Sequence, residues 1–229
     1  MKYITALTLP FALALAQPVF AASYITGGHI DIPAFGHDTI GGFEPHIHNE
    51  GGPDGAIIDG VRVEGESEYE PNELIVRVDP SSTVTLGTTT YYWLPETETA
   101  AASNGVPFVG IGLEELNSAD WTGVLSLTLV SFNGPGQFRL WQEGGLGGEV
   151  DFIDTENGLD TFTLAAGTHT HFNWGFTELG VYELEFQISG THVADGLQSG
   201  AAIFTYAVPE PSTALLAFGG LLLSFRRRR

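Results

Sequence analysis

The sequence repeats short stretches in which apolar and polar residues alternate, and Gly, Pro, Asn and Asp fill the gaps between them. This period of two is typical of β-strands that bury one face, because successive side chains point to opposite sides of a strand. The stretches that show it most clearly are 73–78, 83–86, 124–132, 137–141, 160–164, 170–176, 181–189 and 201–208. Short strands at this spacing predict an all-β chain folded as an antiparallel β-sandwich, either immunoglobulin-like or jelly-roll-like.

Long helical periodicity is absent from the sequence between its two terminal segments. One or two helical turns are expected near 112–121 (GLEELNSADW), and the stretch 91–107 is expected to be a connection whose aromatic residues pack on the core. The stretches 181–189 and 201–208 flank a segment rich in Gly, so they are expected to form the closing hairpin of the sandwich.

Both ends of the chain have the order of residues found in targeting signals. Residues 1–21 contain Lys2, then an apolar run, then small residues, which predicts a secretory signal peptide. Residues 209–229 contain Pro-Glu-Pro, an apolar run shorter than the ~20 residues of a membrane-spanning helix, and four arginines. The remaining 22–208 are predicted to be a single domain, with two lobes, divided near residue 90, as the alternative.

The C-terminal order of triplet, apolar run and basic cluster resembles the PEP-CTERM sorting signal of Gram-negative bacteria. The resemblance implies that an exosortase-type membrane enzyme recognises the tail and removes it. The protein would then be delivered to the outer surface or the extracellular matrix, and it would meet the membrane only through the unprocessed tail. A plain C-terminal membrane anchor is the alternative.

The charge between the two targeting segments is strongly negative. Three arginines there oppose 27 of the 28 acidic residues, which leaves a net charge of −24. Nucleic acid is excluded as a partner because phosphate binding needs clustered Lys and Arg, whereas cations are favoured. The chain also has no Cys, so any metal site must use His nitrogen and Asp or Glu oxygen. This argues against Cu(I), iron–sulfur and blue-copper sites, which use sulfur ligands.

Three histidine patterns predict a metal site. Each pairs a histidine with a second histidine or an aspartate two residues later, so both side chains lie on one face of a strand, with Cα atoms about 6.5–7 Å apart. Two imidazoles at that distance can bind one ion at the usual Zn–N distance of about 2.0–2.1 Å. The predicted ligands of zinc, or of another divalent transition metal ion, are His29, Asp31, His46, His48, His169 and His171. The spacing leaves open which pairs converge.

Other polar residues near these patterns are weaker candidates for the metal site. Glu50 and Asp54 are candidates for oxygen ligands or for acceptors of imidazole N–H groups. His37, followed by Asp38, is a weaker candidate ligand, and His192 is expected to lie in a turn without a role. Asn173 is expected on the same face as His169 and His171, where it would orient a ligand.

The sequence gives little indication of a catalytic site. The sequence has no Gly-x-Ser-x-Gly, no cysteine nucleophile, no His-Glu-x-x-His and no phosphate loop, which predicts a protein that is not an enzyme. A metallo-hydrolase built from the same histidines is the alternative, and it would need an open metal position facing a cleft. The acidic run 64–73 lacks the ligand order of a calcium loop, so a solvated face is expected there.

Several stretches together resemble the repeat domain of bacterial surface-anchored "choice-of-anchor M" proteins, especially a PEP-CTERM branch described as repressed by the zinc uptake regulator. The resemblance spans about residues 25–190. The stretches that carry it are GGHIDI, HIHNE, EYEPNELIVRV, YWLPET, GIGLEEL, FNGPGQFRLW and LAAGTHTHFNWGF. In the last, Ala165 and Ala166 stand where proline is often found. The resemblance implies a non-enzymatic, zinc-related surface role near metal-type ABC transporters, with the same six residues as ligands.

Two functions follow as hypotheses. The first is an exported, surface- or matrix-sorted zinc-binding protein that acts in zinc capture or homeostasis through its His-x-His strands. The second is a structural or adhesive module of the extracellular polysaccharide matrix, in which exposed aromatic rings stack on sugars. The rings considered for this role are Tyr91, Tyr92, Trp93 and Trp141. Their exposure distinguishes the two hypotheses.

Overall fold

The computed structural model describes residues 22–38, 42–144 and 148–210. The predicted signal peptide at 1–21 and nearly all of the predicted tail at 209–229 lie outside the described residues. The described chain forms strands and one short α-helix, α1 (Glu98–Asn104). The strands are β1 (Ser23–Gly27), β2 (His29–Asp38), β3 (Gly42–Asn49), β4 (Ile57–Ile58), β5 (Val61–Arg62), β6 (Ser67–Tyr69), β7 (Leu74–Arg77), β8 (Thr83–Leu86), β9 (Thr89–Leu94), β10 (Phe108–Gly112), β11 (Leu125–Asn133), β12 (Phe138–Glu143), β13 (Glu149–Asp154), β14 (Thr161–Leu164), β15 (His169–His171), β16 (Asn173–Phe176), β17 (Gly180–His192) and β18 (Gly196–Val208).

The strands form three sheets. An eight-stranded sheet has the order β14-β11-β17-β18-β7-β1-β4-β5, and two five-stranded sheets have the orders β15-β10-β2-β3-β6 and β13-β12-β16-β9-β8. Most neighbours are antiparallel, while β1–β7, β7–β18 and β2–β10 pair in parallel. This arrangement confirms the predicted all-β sandwich, and the described strands do not close into a barrel.

One apolar core connects the three sheets. Leu184, Phe186 and Ile188 of β17 are fully buried and alternate with more exposed residues, as a half-buried strand requires. The indole ring of Trp174 in β16 stacks on the ring of Tyr206 in β18, with 5.4 Å between ring centroids. Residues from early and late parts of the sequence therefore share one core, which stabilises a chain without disulfides.

The strand predictions hold over most of the chain. The stretch 83–86 is β8, and the predicted closing hairpin is present as β17 and β18, which pair without interruption over their whole length. The single strand predicted at 170–176 is wrong, because the chain leaves one sheet after β15 and enters another at β16. Phe172, at the crossing, is fully buried against the rings of Phe152 and Phe162.

The predictions about helices agree less well with the structure than the predictions about strands. The stretch 91–107, expected to be a connection, contains α1, which is rich in alanine and ends where Gly105 adopts a φ of 65°. The stretch 112–121 forms only a short 3-10 helix at Ser118–Asp120. The residues between them form β10, which lies between β15 and β2 in the five-stranded sheet that carries the predicted ligands.

Candidate metal centre

One face of the sheet β15-β10-β2-β3-β6 carries the predicted ligands. Residues directly opposite each other in a ladder point to the same face. His171 of β15 lies opposite Gly110 of β10, which lies opposite Asp31 of β2, and Asp31 lies opposite His48 of β3. His29 precedes Asp31 by two residues and shares its face. The sheet thus brings ligands together from strands that are 140 residues apart in the sequence.

His29, Asp31, His169 and His171 form the central cluster. Each of these residues offers one ligand atom, and the four atoms lie within 4.8 Å of one another. Nε2 of His29 lies 3.2 Å from Nε2 of His169 and 3.5 Å from Oδ1 of Asp31. Nε2 of His169 lies 2.9 Å from Oδ1 of Asp31. Donors about 2.0–2.1 Å from a tetrahedral zinc ion lie about 3.4 Å apart, so the central cluster has the dimensions of a zinc site.

Several buried polar atoms of the central cluster lack hydrogen-bond partners. Asp31 is fully buried, yet neither carboxylate oxygen receives an aligned hydrogen bond, and Nδ1 of His171 is also buried without a hydrogen-bond partner. Among the described residues, only one further buried side-chain atom lacks a partner, Nε2 of His37. Buried polar atoms are almost always paired because leaving them unpaired costs free energy. A metal ion shared by the central cluster would satisfy these atoms.

Glycine at position 110 makes room for the cluster. A Cβ atom added there would lie 2.1 Å from Oδ1 of Asp31, 2.7 Å from Nε2 of His169 and 3.0 Å from a ring carbon of His171. No side chain fits at that position without displacing the ligand atoms. At this position β10 therefore contributes only backbone beneath the ligand atoms.

The pKa values favour the ligand forms of two residues. Burial raises the pKa of Asp31, but the neighbouring His169 and His29 outweigh burial and hold the pKa well below its usual range. Burial, together with His169 and His29, lowers the pKa of His171 to about 4. Burial also lowers the pKa of His169, but Asp31 and then Glu114 and Glu50 outweigh it, so this pKa is raised. At neutral pH the site thus offers an ionised carboxylate and a neutral His171.

Two glutamates face the outer nitrogens of the imidazoles. Glu50 follows β3, and its carboxylate lies 3.5 Å from Nδ1 of His29 and 3.6 Å from Nδ1 of His169. Glu114 follows β10 and lies 3.4 Å from the same His169 nitrogen. Carboxylates in this position orient metal-bound histidines. Glu50 thus lies near the site as the sequence predicts, whereas Asp54 lies in the 3-10 helix Gly52–Asp54 and belongs to none of the clusters among the described residues.

His46, His48 and Glu115 form a separate outer cluster, so the six predicted ligands do not converge on one point. Oε1 of Glu115 lies 3.0 Å from Nε2 of His46 and 2.8 Å from Nδ1 of His48. Both histidines are buried, while the side chain of Glu115 is 34% exposed. A cleft of about 560 Å³ opens beside them. The sequence does not predict Glu114 and Glu115 as site residues because their stretch has a helical appearance, although the pair EE shortly after Gly-x-Gly is a visible signal.

His37, His192 and Asp195 form the hairpin cluster at the turn between β17 and β18. Oδ2 of Asp195 lies 2.6 Å from Nδ1 of His192, and the two imidazole rings are 4.6 Å apart. Trp121 packs against both rings, at 5.1 and 5.2 Å. The expectation that His192 lies in a turn is wrong, since His192 ends β17 and is buried. Isolated histidines carry no spacing signal, so nothing in the sequence pairs His37 with His192.

Asn173 has a different role from the one expected. It begins β16 in the other five-stranded sheet, so it does not share the face of the histidines. Its Oδ1 accepts hydrogen bonds from Nε1 of Trp93 and from the backbone N–H of Glu96, and its Nδ2 donates to the Glu96 carboxylate. Asn173 therefore connects β9 and the following loop to β16.

The aromatic side chains considered for sugar stacking do not form an exposed row. Tyr91 and Trp141 are buried, at 6% and 2% exposure, and their rings pack on each other at 5.6 Å. Tyr92 and Trp93 are partly buried. A flat row of solvent-facing rings, which stacking on a polysaccharide needs, is therefore not formed by these four residues.

Comparison with known proteins identifies the C-terminal segment. Residues 207–229 match the family described as the PEP-CTERM protein-sorting motif. The motif shows an exported protein that an exosortase-type enzyme processes and whose C-terminal tail anchors it in the membrane. None of the helices in the described ranges has the length and hydrophobicity needed to cross a membrane. No curated protein and no solved structure matches the chain.

Proposed function

We propose that this exported protein binds one zinc ion, or another divalent transition metal ion, tightly at the central cluster and serves in zinc capture or homeostasis at the cell surface or in the extracellular matrix. The observation that carries the proposal is the buried Asp31 carboxylate, which lacks aligned hydrogen bonds and lies within 3.5 Å of two imidazole nitrogens. Three imidazoles and one carboxylate are a ligand set that suits zinc.

The central cluster supports binding rather than catalysis. Catalytic zinc sites keep one of four positions open for water, whereas sites with four protein ligands are closed. The central cluster offers four protein ligands, so the ion there is held and is not exposed to a substrate. The resemblance to choice-of-anchor M proteins supports the same role, with expression under zinc shortage and a metal-type ABC transporter as the recipient of the ion.

The negative charge of the protein supports capture. Between the targeting segments, acidic residues outnumber basic ones by 24, so the field around the protein attracts cations and raises their local concentration. The effect acts on all cations, and the imidazoles of the central cluster then select transition metal ions over Ca²⁺ and Mg²⁺, which prefer oxygen ligands.

A zinc titration tests the proposal. The purified protein and the double variant His169→Ala/His171→Ala are titrated with zinc in the presence of a competing chelator, and circular dichroism checks that both are folded. We expect the variant to lose the tight ion while keeping its strands. The double variant His37→Ala/His192→Ala, which removes two imidazoles from the hairpin cluster, is the matched control. Tight binding that survives in the His169/His171 variant would refute the central cluster as the site.

A further inference from the structure

The outer cluster lies beside the central cluster on the same face of the same sheet. His48 lies directly opposite Asp31, and His46 lies opposite Ala34. The central donors surround Gly110 of β10, and the outer histidines belong to β3, two strands away, so the two clusters are about 10 Å apart. We propose that His46, His48 and Glu115 form a second, open zinc site that loads the central site. The proposal rests on the proposed function of the central cluster.

The contacts of His46 point to a cation in the outer cluster. Nδ1 of His46 lies 2.9 Å from the backbone carbonyl oxygen of Glu44, which can only accept, so Nδ1 donates its proton there. In a neutral imidazole the other nitrogen is then an acceptor. That nitrogen, Nε2, lies 3.0 Å from Oε1 of Glu115, so two acceptors face each other. A proton or a metal ion between them removes this conflict, and a zinc titration separates the two.

The geometry of the outer cluster suits exchange of a metal ion with the solution. The cluster supplies three protein ligands, which leaves a tetrahedral position open, as in zinc sites that take up water or a fourth ligand. Its cleft is lined by Glu44, Glu68 and Glu70, and the Glu66 carboxylate lies 3.7 Å from Nε2 of His48. A cleft lined by charges of one sign concentrates the opposite ion and raises its association rate. The acidic cleft therefore concentrates cations beside the outer cluster.

Two consecutive glutamates connect the clusters. The carboxylate of Glu114 lies 3.4 Å from His169 in the central cluster, and that of Glu115 lies 3.0 Å from His46 in the outer cluster. Glycines leave room for both, since a Cβ at Gly112 would lie 3.2 Å from Oε2 of Glu114 and one at Gly36 would lie 2.9 Å from Oε2 of Glu115. An ion that leaves the outer cluster thus meets a second carboxylate from the neighbouring residue before it reaches His169.

The number of bound ions tests the second site. Native mass spectrometry and chelator competition with zinc alone are applied to the protein and to His46→Ala/His48→Ala. We expect two ions in the protein, one tight and one weaker, and one tight ion with unchanged affinity in the variant. Glu115→Gln, which keeps both imidazoles, is measured as well in case the double variant does not fold. A single ion in the protein, or two ions in a folded variant, would overturn the second site.

The rate of loading tests the transfer. In stopped-flow mixing with zinc, we expect the tight site of His46→Ala/His48→Ala to fill about 10-fold more slowly, since the acidic cleft remains but the two imidazoles that would hold the ion beside the central cluster are gone. Glu183→Gln/Glu185→Gln removes two carboxylates from β17 instead and should load at the original rate. Equal rates in all three proteins overturn the loading role. If the tight ion instead survives His169→Ala/His171→Ala, the proposed function fails, whatever the outer cluster does.

Discussion

The central cluster and the hairpin cluster contain the same types of residue but differ in how their carboxylates are placed. In the central cluster, Asp31 is fully buried between histidines from two strands and has no aligned hydrogen bond. In the hairpin cluster, Asp195 is 36% exposed and forms a 2.6 Å ion pair with His192, three residues before it. The first carboxylate is held by the fold between imidazoles and away from water, and the second is paired with a histidine of its own hairpin and is partly solvated.

This difference shows which features distinguish a metal site from a structural ion pair. Both clusters place ligand atoms within 4.8 Å of one another, so closeness alone does not separate them. Burial of the charge does, because a buried carboxylate must be stabilised by groups or an ion inside the protein, whereas one in contact with water is stabilised by the solvent. Aromatic packing does not separate the clusters, because Trp121 lies against both imidazoles of the hairpin cluster and Phe108 lies against His29 and His171 of the central cluster.

Removing the charge of the carboxylate should produce the largest difference between the two clusters. Asp31→Asn keeps the size of the side chain but removes the negative charge from the ligand set. We expect zinc affinity to fall by about 100-fold or more, since changes even to groups behind the ligands cost about 10–100-fold. Asp195→Asn makes the same chemical change in the hairpin cluster and should leave zinc affinity unchanged. Chelator competition measures the zinc affinity of both variants. Equal losses of affinity would show that the two carboxylates do not differ in their role.

Filling the floor of the central cluster should have the next largest effect. In Gly110→Ala, the added methyl group would lie 2.1 Å from Oδ1 of Asp31, so the ligands must move apart. We expect zinc affinity to fall by about 10-fold or more and the free energy of unfolding to fall by about 1–3 kcal/mol, as for other overpacked sites. Gly65→Ala is the control, because a Cβ there meets nothing within 4 Å. Undiminished zinc affinity in a folded Gly110→Ala protein would contradict the ligand positions.

The two residue pairs that make up the central cluster are predictable from the sequence because of one local rule. Residues two apart on a strand share a face, so the spacing alone pairs His29 with Asp31 and His169 with His171. The rule also predicts the fold class, since the alternation that marks β8 and the β17–β18 hairpin is set by each strand itself. Both depend on information within a single strand or hairpin.

The remaining features depend on the register between strands, which spacing does not encode. The separation of His46 and His48 from the central cluster follows from their position on β3, one strand beyond Asp31. The role of Gly110 follows from its place opposite both Asp31 and His171. The glutamates at 114 and 115 reach the two clusters from the turn that follows β10. Each of these is a contact between distant segments.

The pH dependence of zinc binding should be the next effect in size. A ligand imidazole must be neutral, so a proton competes with the ion. Because the pKa of His169 is raised, this competition begins at a higher pH than for an ordinary histidine, whereas His171, with a pKa of about 4, stays neutral through the mildly acidic range. We expect affinity to fall by about tenfold per pH unit once His169 takes up its proton. An apparent dissociation constant that is flat from pH 8 to pH 5 would argue against imidazole ligation.

The smallest effect on zinc affinity is expected from a substitution in the hairpin cluster. His192→Ala removes the ion pair with Asp195 and the ring against Trp121, and it leaves the ligand face of the five-stranded sheet intact. We expect zinc affinity to stay the same and the free energy of unfolding to fall by about 1 kcal/mol, because the partner carboxylate is partly exposed and the pair is weakened by solvent. Chemical denaturation of the zinc-free protein measures the stability. A loss of bound zinc in this variant would show that the unpartnered Nε2 of His37 marks a metal site after all, and the burial of the carboxylate would then no longer separate the two clusters.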